Sequence, residues 1–80
     1  MTTPEQLRAA RAILGLSQAE VATLTGKTSK TIRRAETEAG SVAQDTLAAI
    51  RAALEKAGVE FITENGGGVG VRLTKERNQE

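Results

Sequence analysis

SQAEVATLTGKTSKTIRRAE, residues 17–36, is the stretch that the rest of the chain serves. It reads as two short helices joined by a tight turn. Ser17 and Glu20 have the spacing of a capping box. The serine oxygen accepts a backbone N–H three residues on, and the glutamate reaches back to the N–H of Ser17. Val21, Ala22 and Leu24 give this first helix a narrow apolar side. Gly26 stands where the helix must stop and turn, because only glycine enters left-handed backbone space without a Cβ penalty. Thr28 caps a second helix whose body is Ser29 to Glu36. Ile32 and Ala35, three residues apart, point inward. Lys30, Thr31, Arg33 and Arg34 are left outside. Between Lys27 and Arg34 the chain has four bases and no acid. A short, capped, basic helix held after a glycine turn is the geometry of a helix-turn-helix reader of duplex DNA.

Upstream, Thr3-Pro4-Glu5-Gln6 is a helix start. Thr3 is the cap, Pro4 sits in the first turn where its missing N–H costs nothing, and Gln6 completes a capping box. Leu7, Ala10, Ile13 and Leu14 recur at helical spacing and form the expected buried stripe. Gly15 ends this helix and Leu16 plugs the junction before Ser17. Arg8 and Arg11 are expected on different faces. Met1 to Thr3 should fray.

Downstream, residues 37–43 (TEAGSVA) read as a loop that turns at Gly40. Gln44 to Ala57 is a helix with Leu47, Ile50 and Leu54 in one seam and Ala53 and Ala57 beside it. Asp45 suits the N-terminal end of its dipole and Lys56 the C-terminal end. Gly58 stops it, and its main task is to close the core.

Beyond Gly58 the character changes. Residues 59–63 (VEFIT) are rich in β-formers, residues 64–68 (ENGGG) are a turn, and Val69, Val71 and Leu73 share one face of a second strand. The reading is a β-hairpin. A lone hairpin is marginal in water and leaves edge groups unpaired. Pairing with the hairpin of a second chain answers both problems, so Val59, Phe61, Ile62, Val69, Val71 and Leu73 are assigned to homodimerisation. The alternative is a hairpin folded back onto its own helices. The chain therefore divides into a helix-turn-helix domain at 1–58, a dimerisation hairpin at 59–74 and a charged, disordered tail at 75–80.

Composition bounds the rest. Eighty residues make one domain with a small core. Phe61 is the sole aromatic residue, so that core must be built of alanine, leucine, isoleucine and valine. Added dimer area would help to stabilise it. There is no cysteine and no histidine. Disulfides, thiolate metal sites and histidine-based catalysis are thereby excluded. No apolar run spans a membrane, and the N-terminus lacks the pattern of a signal peptide. The expectation is a soluble cytoplasmic protein with no membrane partner. The net charge is only +1. The charge is unevenly spread, however: bases gather at 27–34, and acids gather elsewhere, among them Glu36, Glu38, Asp45, Glu55, Glu60 and Glu64.

The glycines at 66, 67, 68 and 70 do not make a phosphate loop. No lysine followed by serine or threonine comes after them, and a dinucleotide pattern needs glycine where Val71 stands. Carboxylate pairs such as Glu36 and Glu38 lack an apolar wall that would raise a pKa. No catalytic site, metal or cofactor is expected.

The motif also resembles a family. Gln18, Val21-Ala22, Gly26, Thr28, Thr31-Ile32 and Glu36 fall where the Cro/repressor (XRE-type) helix-turn-helix family places comparable residues, and the resemblance covers Leu7 to Leu54. Lys27 departs from it, since the position after the turn glycine is usually apolar. The resemblance implies a mostly α, four-helix, lambda-repressor-like domain, here extended by the hairpin. It implies an ion pair between Arg11 and Glu36 that ties the first helix to the reading helix. It also implies that Ser41 and its loop meet phosphate.

On this reading Ser29, Lys30, Arg33 and Arg34 are the base-edge candidates. Lysine and arginine most often read guanine, so each half-site should hold at least one G·C pair. Gln18, Lys27, Thr28, Thr31 and Ser41 are the phosphate candidates. The partners are then double-stranded DNA and a second copy of the chain, with an inverted-repeat operator. The rival reading is a protein-interaction module, an antitoxin or anti-activator that grips a partner protein through the hairpin and the acidic surface.

Overall fold

A computed structural model describes residues 2–74. The fraying expected of Met1 and the tail expected at 75–80 lie outside them, but Thr2 and Thr3, also expected to fray, are held in place: Thr3 caps α1 and the Thr2 hydroxyl accepts from Arg51. Four α-helices are followed by one antiparallel hairpin: α1 Pro4–Leu14, α2 Gln18–Thr25, α3 Ser29–Thr37, α4 Gln44–Ala57, β1 Val59–Ile62 and β2 Gly70–Leu73. A single 3-10 turn, Ala39–Ser41, interrupts the loop between α3 and α4. Among the described residues no helix is long and apolar enough to cross a membrane.

The helix ends follow from local chemistry. Thr3 and Gln6 form the capping box of α1, and Ser17 and Glu20 that of α2. Gly15 (φ 70°) and Gly26 (φ 71°) take the left-handed backbone at the two C-terminal ends. At each, the residue after the glycine closes the helix with a backbone bond: Leu16 N–H to Arg11 O at 3.0 Å, and Lys27 N–H to Ala22 O at 3.1 Å. These bonds satisfy carbonyls that the helix leaves unpaired, and they aim the chain into the next element.

The core is Leu7 and Ala10 of α1, Val21 and Ala22 of α2, Ile32 and Ala35 of α3, Leu47, Ile50 and Leu54 of α4, and Val59 and Phe61 of β1. Two residues expected inside are not. Leu24 is 55% exposed. At ~100° per residue it lies ~110° from the centre of the face that Val21 and Ala22 bury. Thr25 occupies that face instead, its hydroxyl donating to Val21 O and Ala22 O. Ile13 is also exposed. It lies two turns beyond Gln6 on the same side of α1, and it is Gln6 that bonds the hairpin.

The hairpin folds onto its own helices. β1 and β2 pack on α1, and β1 also touches α4. The register is Val59↔Leu73, Glu60↔Arg72, Phe61↔Val71 and Ile62↔Gly70. Val59 and Phe61, expected to face a second chain, are therefore buried inside this one, and Val71 packs beside them. The physical reason is the small all-aliphatic helical core, which gains its one large ring only if β1 folds inward. Gln6 locks the arrangement. Its Oε1 accepts the Thr3 N–H at 2.9 Å, while its Nε2 donates to Ile62 O at 3.1 Å and Gly70 O at 3.0 Å. Arg51 closes the other side: it lies 4.9 Å from the centroid of the Phe61 ring, bonds Glu55 at 3.0 Å and bonds the Thr2 hydroxyl at 2.9 Å.

Candidate nucleic-acid interface

The sequence of α3 divides the helix into two sides. Ile32, Ala35 and Glu36 are buried. Ser29, Lys30, Arg33, Arg34 and Thr37 are exposed. At 3.6 residues per turn those five positions fall on one continuous outer ridge. Thr28 caps the helix, its Oγ1 accepting the Thr31 N–H at 3.2 Å and lying 3.1 Å from the Thr31 hydroxyl.

What sets this ridge apart is the state of its charges. The described arginines elsewhere are all engaged: Arg8 donates to Glu36 O, Arg11 pairs with the Glu36 carboxylate, Arg51 with Glu55 and Arg72 with Glu60. The side chains of Lys27, Lys30, Arg33 and Arg34 have no hydrogen-bond or ion-pair partner among the described residues. Four cations are thus left in one segment with nothing to neutralise them, which concentrates positive potential there.

Behind the ridge, Glu36 is a buried junction, 3% exposed. Arg11 grips it with two parallel bonds, Nε to Oε2 at 2.7 Å and Nη2 to Oε1 at 3.0 Å. This planar fork is the strong form of an arginine–carboxylate pair. Hydrogen bonding to the carboxylate raises the Arg11 pKa above its ordinary value, against a smaller opposing effect of burial. Arg11 Nη1 also donates to Leu16 O at 3.1 Å, which ties in the α1–α2 junction.

The phosphate candidates separate into two groups. Gln18 joins the brace: its Nε2 donates to Glu36 Oε1 at 3.1 Å, so this amide nitrogen is turned inward rather than to the surface. A buried carboxylate needs such donors. Lys27 is exposed at the turn, so its stem does not cover the core. Thr31 and Ser41, by contrast, come together with Arg34, Val42, Ala43 and Thr46 around a shallow depression of about 200 Å³. The Ser41 hydroxyl donates to Glu38 O at 2.8 Å. The α4 N-terminus opens onto this depression with no side chain capping it, because Ala43 stands at the cap position.

Three residues escaped the reading of the sequence. Arg8 was expected on a different face from Arg11, yet both reach Glu36, one its backbone oxygen and the other its carboxylate. Residues three apart on a helix are neighbours, and that spacing was the available signal. Gln6 carried a visible capping role but no sign of its second one across the hairpin. The absence of a capping side chain at Ala43 was legible, but it was not connected with Ser41.

The Helix-turn-helix family model matches residues 7–61, which takes in all four helices from Leu7 onward and most of β1. No curated protein matches the chain.

Proposed function

We propose, from the premise that the chain belongs to the helix-turn-helix family of DNA-binding regulators, that it is a sequence-specific transcriptional regulator acting as a homodimer on an inverted-repeat operator in the cytoplasm. The observation that carries this reading is the ridge of α3, where Lys30, Arg33 and Arg34 stand exposed and unneutralised while the other described arginines are bound within the protein.

Each protomer lays α3 in a major groove, with Ser29, Lys30, Arg33 and Arg34 toward the base edges. Long basic side chains that are free to extend suit guanine N7 and O6. Lys27, Thr28 and Thr31 flank the ridge and meet the phosphate backbone. Ser41 and the open N-terminus of α4 form a second phosphate contact, where backbone N–H groups and the helix dipole favour an anion. Gln18 supports the brace behind α3 and touches phosphate only through groups other than the amide hydrogen held by Glu36. The brace matters because base reading needs α3 held in one orientation.

The hairpin supplies the homodimer contact. Val59 and Phe61 are withdrawn from that role into the core, which leaves Ile62, Val69, Val71 and Leu73. A two-fold dimer places half-site centres about one helical turn apart, ~34 Å. Selection of bound duplexes from a random library tests the proposal. The expected outcome is a two-fold symmetric site with at least one G·C pair in each half. Recovery of no preferred sequence would overturn it.

A further inference from the structure

The hairpin has one free edge, and its chemistry is self-complementary. Thr74 N–H bonds Gly58 O at 3.0 Å, and Glu60↔Arg72 and Ile62↔Gly70 follow in register. In an antiparallel ladder bonded and non-bonded pairs alternate. Phe61↔Val71 and Val59↔Leu73 are therefore the non-bonded pairs, and their N–H and C=O groups point out to the two edges. The β1 edge is the poorer candidate. Its outward-directed residues, Val59 and Phe61, are buried, and β1 touches α4. On the β2 edge Val69, the residue just before the strand, is 42% exposed and Leu73 at its end 48% exposed, and they flank Val71 at equal spacing.

We propose that this β2 edge pairs antiparallel with the same edge of a second copy, across a two-fold axis at Val71. Val69 of each copy then lies opposite Leu73 of the other, making one continuous four-stranded sheet. The inference rests on the homodimer reading above and specifies its contact.

Charge and size select this register. With the axis at Val71, Arg72 lies opposite Gly70 of the second copy, and the two exposed apolar side chains cover one another. With the axis at Arg72, two arginines stand directly opposite, and like charges so placed destabilise a strand pair. Val71 self-pairing also turns the unpaired edge groups of residues 69, 71 and 73 into about six backbone hydrogen bonds. It removes an edge that would otherwise invite unregulated strand addition.

The test is sedimentation equilibrium on the full chain with Val69→Glu, Leu73→Lys and the double variant, each checked for unchanged helix content. Neither side chain belongs to the core, so folding is retained. Each single change puts an unpaired charge against an apolar side chain twice per dimer, and the dimer Kd should rise roughly tenfold or more. The double variant sets glutamate against lysine at both places and should return to within about threefold of wild type. A wild-type dimer that the single changes leave intact, or a double variant no better than the singles, overturns the β2 pairing while sparing the homodimer. A wild-type chain that sediments only as monomer overturns both.

Discussion

Arg11 of α1 and Glu36 of α3 are joined by a two-pronged ion pair, and through it the first helix fixes the end of the third. Gln18 adds a bond to the same carboxylate from α2, and Arg8 a bond to the Glu36 backbone oxygen. One buried residue thus gathers three helices. The exposed basic ridge of α3 faces away from this buried junction.

Removing one partner should be costly. Arg11→Ala leaves a carboxylate buried with only Gln18 to serve it, and the loss should be about 3 kcal/mol in urea unfolding. Arg11→Met combined with Glu36→Leu should lose less than the sum of the two single changes, because no charge is then stranded. Additive losses would show that the pair is not energetically coupled.

Side-chain burial on α2 and α3 gives a contrast in stability. Ile32→Ala empties a fully enclosed position and should cost about 2–5 kcal/mol. Leu24→Ala removes a solvent-facing side chain and should stay within about 0.5 kcal/mol. Equal losses would mean that Leu24 is packed.

Gln6 donates to two carbonyl oxygens of the hairpin. Gln6→Glu replaces that donor with a carboxylate facing the same oxygens. The folded state then disfavours the charged form, so the new group titrates above its unfolded value. Stability should be lowest at neutral pH and should recover as the pH falls and the carboxyl regains a proton to donate. Thermal unfolding across an acid series reads this out, and a variant as stable as wild type at neutral pH would contradict it.

Glu60 behaves in the opposite sense. The hydrogen bond from Arg72 is the main cause holding its carboxyl below the ordinary range, and the arginine charge adds to it. A depressed folded value contributes stability that is complete above the unfolded value and lost as pH falls through the folded one. The pair is fully exposed, so the effect is small. Glu60→Gln should lower stability slightly near neutrality and make the decline below about pH 4.5 slightly shallower. A steeper acid decline would contradict it.

The helices were legible because their ends are written in local chemistry: Thr3 with Gln6, Ser17 with Glu20, and the glycines at 15, 26 and 58. The charge segregation of α3 was equally plain. What stayed hidden depended on contacts between distant residues. The alternation of Val59, Phe61, Val69, Val71 and Leu73 identifies a hairpin, but it does not say whether the apolar face meets the chain's own helices or another chain. Gln18 shows the same limit. A glutamine at a helix start looks free until the fold brings Glu36 beneath it.

Base reading by the ridge of α3 is the step on which the proposed function rests. It is tested most directly by measuring the binding of wild type, Lys27→Ala, Lys30→Ala and Arg33→Ala to a selected operator and to scrambled duplex over a range of salt. Lys30→Ala and Arg33→Ala should each lose about 1–3 kcal/mol on the operator and relax the preference at one base pair. Lys27→Ala should weaken both duplexes alike and reduce the salt slope by about one. Operator binding unchanged by the Lys30 and Arg33 substitutions would show that the ridge does not read bases.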